Sequence, residues 1–193
     1  MINKPAQTQL PISDLIANRW SPRVFNPSHV ITQEQKTRLA EAARWAPSAN
    51  NSQPWKFAFV DRDSKLHSQL CENGLTGFNQ TWAPKASTLV VALANKTRAD
   101  GSEADKAMAF LNMGLATSQI VFEAEAMGLK THYMTGIHHD EIAETLGTQD
   151  YWVVCVIAIG EQGEVEGISP ELLEREQAPR VRKPLEELFF QVD

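Results

Sequence analysis

The chain has 193 residues, 42% hydrophobic and 22% charged, with 18 Lys and Arg against 24 Asp and Glu. That length buries a real core and suits one domain, taken here as residues 1–193, or two very small ones, while a net charge of −6 argues against a protein that coats nucleic acid or an anionic membrane, though not against a local basic site. The longest apolar run, Val153 to Ile159, is far short of the ~20 residues a bilayer span needs.

The elements follow in chain order. Ser13 is placed to cap a short helix through Ala17, which the RWSPR stretch ends at Pro22. Thr32 and Gln35 have capping-box spacing ahead of Leu39, Ala42, Ala43 and Ala46, a helical stripe that Pro47 stops. Trp55 to Val60 reads as a strand, and Asp63 as the cap of a helix through Leu70. Thr88 to Ala94 is a second, fully apolar strand. The longest helical pattern runs over 103–127 and ends at Gly128. Its apolar residues, among them Met108, Phe110, Leu111, Met113, Leu115 and Phe122, project in nearly every direction, as in a helix buried all round. A central core helix and a helix packed against a second copy of the chain fit this equally. Lys130 to Met134 is a third strand, Asp140 is positioned to cap a helix ending at Gly147, and Tyr151 to Ile159 is the fourth strand. From Ser169 the tail is helical, then extended at Pro179 and Pro184. Helices alternating with apolar strands imply a sheet covered on both faces.

Several common sites are missing. The MINKPAQTQLP start carries no apolar signal stretch, and Cys71 and Cys155 form no CxxC, so a reducing cytoplasm is expected. There is no GxGxxG after a strand, no phosphate-binding P-loop and no GxSxG elbow. GEQGEVEG at 160–167 is acidic and reads as a surface turn. His138 and His139 are adjacent without an i, i+4 partner, so no metal site is expected there, and Asp140 reads as a cap.

Polar and cationic chemistry concentrates in four segments. In NRWSPRVF, Arg19, Ser21 and Arg23 alternate, and an extended backbone points all three to one side. Forked guanidinium donors with a hydroxyl form an anion site, or else a solvated loop of paired charges. APSANNSQPW, 46–55, sets Ser48, Asn50, Asn51, Ser52 and Gln53 between two prolines, either as a rigid turn satisfying its own backbone or as a surface offering amides. FNQTWAP places Asn79 among aromatics, in a loop whose Phe78 and Trp82 are expected to plug the core whatever Asn79 does. APRVRKPL clusters Arg180, Arg182 and Lys183 in an otherwise acidic tail. Together they suit one ligand with an anionic end, a polar middle and a flat part that amides can edge-bond.

Arg19-Trp-Ser-Pro-Arg23, Pro47-Ser-x-x-Asn51-x-Gln53-Pro-Trp55, Phe78-Asn79, Gly128-Leu-Lys-Thr-His-Tyr-Met-Thr-Gly136 and Arg180-x-Arg182 before Pro184-Leu-Glu agree in order and spacing with one family. On these motifs the chain resembles the nitroreductase family of flavin enzymes over nearly its whole length. The resemblance implies an α+β three-layer sandwich, a mixed or antiparallel sheet between helices, in an intertwined homodimer with FMN at the subunit interface. It implies that Arg19, Ser21, Arg180 and Arg182 hold the FMN phosphate, with Trp20 offering only backbone where many relatives carry Arg or His. Arg23 would approach the pyrimidine edge, and Asn79 would bond the N3/O4 edge. Met134, Thr135 and Gly136 would lie against the ring, and Pro47, Ser48, Ala49 and Asn51 would reach the flavin bound mainly by the other subunit. Trp82 stands where many larger relatives carry a basic residue, a place from which it could narrow the substrate channel. The implied activity moves hydride from NADPH or NADH through FMN to a nitroaromatic, quinone or similar acceptor, without a catalytic side chain. An enal or semialdehyde reductase and a non-catalytic flavin-binding protein are the alternatives.

Overall fold

The computed structural model describes residues 2–192. Strands β1 (Trp55–Asp61), β2 (Thr88–Asn95), β3 (Lys130–Met134) and β4 (Tyr151–Gly160) form a sheet of order β1-β2-β4-β3. All of its pairings are antiparallel. β2 and β4 are apolar on both sides, a pattern frequent in parallel strands; here it arises because helices cover both faces of a central antiparallel pair.

The two faces alternate along β2 with the period of a strand. Leu89, Val91 and Leu93 point into one core with Leu70, Trp82, Met134, Ile142 and Leu172. Val90, Ala92 and Ala94 point into the other with Leu39, Ala43, Met113, Ala116 and Ile120. In β4 a bulge opposite Ala92 and Leu93 places both Val154 and Cys155 against the second core. The extra residue resets the register so that Val153 and Val156 both serve the first core.

The layers follow from the helices. α1 (Asp14–Asn18) is a short turn, and α2 (Gln33–Arg44) starts with the expected capping box of Thr32 and Gln35. α3 (Lys65–Gln69) continues into a π-helical turn, Leu70–Gly74, and α4 (Asn79–Trp82) follows. α5 (Lys106–Ala126) packs with α2 on the second core. α6 (His139–Leu146) and α7 (Pro170–Gln177) contribute Ile142 and Leu172 to the first core. Among the described residues no helix is long and apolar enough to cross a membrane.

Two caps and one helix start depart from expectation. Ser64, not Asp63, caps α3 by accepting the His67 N–H, while Asp63 adopts φ 68° in the turn before it. His138 occupies the cap position of α6, and Asp140 lies in its first turn, where a carboxylate still meets the positive end of the helix dipole. α5 begins at Lys106, with Asp105 accepting the Met108 N–H at 2.7 Å.

The acidic 160–167 stretch is more than a surface turn. Gln162 bridges to Phe25, and Gly163 N–H donates to Val24 C=O at 2.9 Å. These contacts fix the N-terminal RWSPRVF segment to the end of the central strand. A Cβ on Gly163 would lie 2.7 Å from the Phe25 carbonyl carbon and oxygen, backbone atoms that cannot swing away. Gly163→Ala is therefore expected to destabilise the protein by ~1–3 kcal/mol, read from urea unfolding; an unchanged midpoint would show that the segment yields freely.

Candidate functional site

Both ends of the chain meet at a cationic cluster. The strand-like residues after α1 carry Arg19, whose Nη1 donates to Ser21 Oγ at 3.2 Å. The tail after α7 brings in Arg180, whose Nη1 donates to Ala17 C=O at 2.7 Å and Lys4 C=O at 2.6 Å. Burial first, and then the charge of Arg182, lowers the proton affinity of Arg19; burial, Arg19 and Arg182 do the same to Arg180. Among the described residues none of Arg19, Arg23, Arg180 and Arg182 makes an ion pair. Glu125, whose field reaches Arg19 and Arg180, is committed to Lys130 at 2.6 Å. Like charges gathered without a counterion form a site for an anion, and forked guanidiniums match a phosphate.

Arg23 shares neighbours with this cluster: His132 feels the charges of Arg23 and Arg19, and Lys4 those of Arg23 and Arg180. Burial lowers the proton affinity of Arg23, and the charges it feels are Glu176 and Arg175 of α7. The charges acting on Arg23 thus come from α7, and the like charge acting on Arg19 comes from Arg182 in the tail. The segment between Arg19 and Arg23 is pinned by His132 of β3, whose Nδ1–H donates to Pro22 C=O at 3.0 Å. Burial pushes His132 down to about 4, helped by the charge of Arg23, so the ring is neutral near pH 7.

The tryptophans turn away from this surface. Trp20 is only 5% exposed, with Lys4 Nζ 4.4 Å from its ring centroid. Its indole is a core residue, so only its backbone remains for a ligand. Trp82 is fully buried, with its ring 4.5 Å from His132 and 6.1 Å from Phe25. It does not line a substrate channel; it is the floor beneath His132.

A second element of the site joins α4 to the residues after β3. Asn79 Nδ2 donates to Gly136 C=O at 3.1 Å, and Thr76 N–H donates to the same oxygen at 3.3 Å. A Cβ on Gly136 would sit 3.1 Å from Thr76 Oγ1 and 3.4 Å from Asn79 Nδ2, so glycine allows this close approach. Thr135 and Gly136 are exposed beyond the last ladder pair, Met134 with Val156. Met134 itself is 2% exposed and packs into the first core. Its thioether therefore supports the sheet, and only its main chain can face a ring.

The 47–53 loop is built stiff. Asn50, Asn51 and Gln53 all have positive φ, 53°, 54° and 44°, a region Asn tolerates and Gln seldom adopts. Ser48 Oγ accepts the Gln53 N–H at 3.1 Å, and Gln53 Nε2 donates to Asn51 C=O at 3.1 Å. Ala49 N–H donates to Oδ1 of Asn112, a buried amide on α5, at 3.1 Å. That contact is about 20 Å along α5 from Glu125, at 1.5 Å per residue. Within one chain, then, Pro47, Ser48, Ala49 and Asn51 do not join the Arg19 cluster. A groove of about 930 Å³ lies beside the loop, lined by Ala49, Asn50, Asn95, Met108 and Asn112.

The family model described as "Nitroreductase family" matches residues 16–73 and 68–161. The chain belongs to the nitroreductase family. Among solved structures, it is similar to an oxidoreductase described as containing FMN, at TM-score 0.88 and 32% identity, covering 99% of this chain and 97% of that one. It is also similar to the major NAD(P)H-flavin oxidoreductase of Aliivibrio fischeri, 27% identical over 179 residues, 84% of this chain and 78% of the relative. Protein DrgA of Synechocystis sp. is 27% identical over 180 residues, 78% of this chain and 84% of the relative.

Three polar residues of this region escape a reading of the sequence: His132, Asn112 and Glu176. The signal available for Asn112 is an amide inside an otherwise apolar helix; His132 and Glu176 give none. Because folding depresses the His132 value below its usual 6.5, the unfolded chain takes up a proton that the native one refuses. The stability this contributes is complete above pH 6.5 and is lost as pH falls toward about 4. His132→Gln is expected to lose less stability than the parent between pH 7 and pH 5, measured by urea titration at each pH; equal losses would place the acid sensitivity elsewhere.

Proposed function

We propose that this chain, acting as one domain, is an FMN-dependent oxidoreductase that takes hydride from NADPH or NADH and delivers it to a small acceptor such as a nitroaromatic or quinone. The observation that carries this reading is the uncompensated cluster of Arg19, Arg180 and Arg182, set in the same fold as the Asn79–Gly136 pair. Arg19, Ser21, Arg180 and Arg182 suit the phosphate, Asn79 keeps its amide oxygen for a flat heterocycle's edge, and the exposed main chain at Thr135 and Gly136 suits the ring. Bound FMN supplies the redox chemistry, and the protein supplies position and electrostatics. Arg23 would stand where negative charge grows on reduction, and a fixed cation there favours the reduced form by a few kcal/mol.

The separation of the 47–53 loop from the arginines supports a homodimer in which each loop serves the partner's cofactor. Met108, Leu111 and Leu115 are 45%, 59% and 37% exposed on α5. With Ser118 and Phe122 they follow the alternating three- and four-residue spacing of a helix–helix seam. Asn112 holds the loop from the buried side of the same helix. Both cysteines are free and buried, with thiols pushed up to about 11 and about 12 by burial, which suits work in a reducing cytoplasm.

Purified protein is expected to bind FMN, to turn yellow, and to bleach anaerobically on adding NADPH or NADH. Arg19→Ala with Arg182→Ala is expected to weaken FMN binding at least tenfold, since each charge-assisted contact contributes ~1.5–3 kcal/mol. A colourless preparation after reconstitution would end the flavin reading. Arg23→Ala is expected to lower the flavin midpoint potential while FMN still binds, read by spectroelectrochemical titration; an unmoved potential removes Arg23 from that role. Leu111→Glu with Leu115→Glu is expected to give monomers by light scattering and to lose FMN. A monomeric parent with full flavin occupancy would refute the shared site.

A further inference from the structure

Glu176 is fully buried, an uncommon position for a carboxylate. It lies on α7, four residues before Arg180, and its Oε2 accepts the Arg23 main-chain N–H at 2.9 Å. The Val24 N–H also favours the charged form of this carboxylate. Among the described residues its Oε1 is buried without a partner. Lys4 and Arg23 are the cations that face it, and burial still pushes its proton affinity up against them. An orphaned carboxylate oxygen costs free energy that an aliphatic side chain of the same volume would not. Packing alone therefore does not account for a glutamate here.

What the carboxylate does is join two segments. Arg19 to Arg23 approach from the N-terminal side, and α7 leads directly into Arg180 and Arg182. Lys4 Nζ donates to Ala178 C=O at 2.8 Å, and Arg180 returns to Lys4 and Ala17 carbonyls. Those bonds tie the tail to residues before and within α1. The Glu176 bond alone seizes the main chain of Arg23 itself, on the opposite side of the segment from the His132 bond to Pro22. The chain bends at Arg23, outside any sheet, so its N–H needs another acceptor; the carboxylate that takes it sets the bend against the helix.

We propose that Glu176 is a positioning residue of the flavin site: its carboxylate holds the Arg23–Val24 main chain so that Arg23 and the Arg19 cluster face the ligand in register with Arg180 and Arg182. The inference rests on the flavin reading above. Glu176 touches no ligand; it acts through the backbone of the residues that do.

The test separates the acceptor oxygen from the packed volume. Glu176→Leu fills the space and removes the acceptor, while Glu176→Gln keeps an oxygen there. The leucine variant is expected to weaken FMN binding about tenfold, to lower the midpoint potential of the bound flavin, and to speed amide exchange at Arg23 and Val24 in the flavin-free protein. The glutamine variant is expected to recover most of the affinity and the potential. A leucine variant with parental dissociation constant and potential overturns the assignment, as does a glutamine variant no better than leucine. Should the leucine variant fail to fold, Glu176→Met replaces it and the same comparison decides. A parent protein that binds no FMN overturns the flavin reading itself, a result distinct from parental behaviour in the variants.

Discussion

The structure depends on holding guanidiniums together against their own repulsion. Burial and the charge of Arg182 lower the proton affinity of Arg19, burial with Arg19 and Arg182 lowers that of Arg180, and among the described residues no carboxylate pairs with them. Neutral acceptors offset part of this cost: Ala17 and Lys4 carbonyls take Arg180, and Ser21 takes Arg19. A neutral contact can hold a cation in place without cancelling its charge. A carboxylate in the same position would have stabilised the fold and closed the site to anions. Glu125, the acid whose charge reaches Arg19 and Arg180, is withdrawn by Lys130.

That arrangement needs residues about 160 apart in sequence to meet, as Ala17 and Arg180 do, and the sheet is what makes this possible. The order β1-β2-β4-β3 places the end of β4 beside the RWSPRVF segment through the Phe25–Gln162 bridge. β3 lies next to β4 and presents His132 to the other side of Pro22. Beneath it Trp82 fills the core, so the ring cannot sink. α5 crosses the opposite face, its middle holding the 47–53 loop through Asn112 and its end carrying Glu125. The helix length thus sets the distance between the two halves of the site, and in the proposed dimer the other copy closes that gap.

Much of the framework was legible because its signals are local. The Thr32–Gln35 capping box, the four strands and the extended tail after α7 are read from neighbouring residues and recur in the structure. The misreadings were local too, but decided by competition. Asp63 and Ser64 both qualify as caps, and the turn geometry gave Ser64 the role. His138 took the cap position ahead of Asp140 because its C=O leads into the helix one turn before Ile142. Trp20 and Trp82 sit in polar motifs, yet both rings are buried, Trp20 leaving only its backbone exposed to a ligand as expected and Trp82 filling the core instead of a channel wall. Area decides this: burying an indole contributes more than any polar contact its neighbours could gain by exposing it.

By itself the sequence determined where helices and strands run, which segments carry guanidiniums and amides, and, through the spacing of its motifs, the family to which the chain belongs. Those are properties of short windows, set by periodicity, turn chemistry and residue type. Only the tertiary structure decided how far the 47–53 loop lies from the Arg19 cluster within one chain, and that His132, Asn112 and Glu176 hold these pieces in place. Each of those three acts through one hydrogen bond to a main-chain group at least 63 residues away. A main-chain N–H or C=O is the same at every position, so nothing in the sequence marks the group it will find.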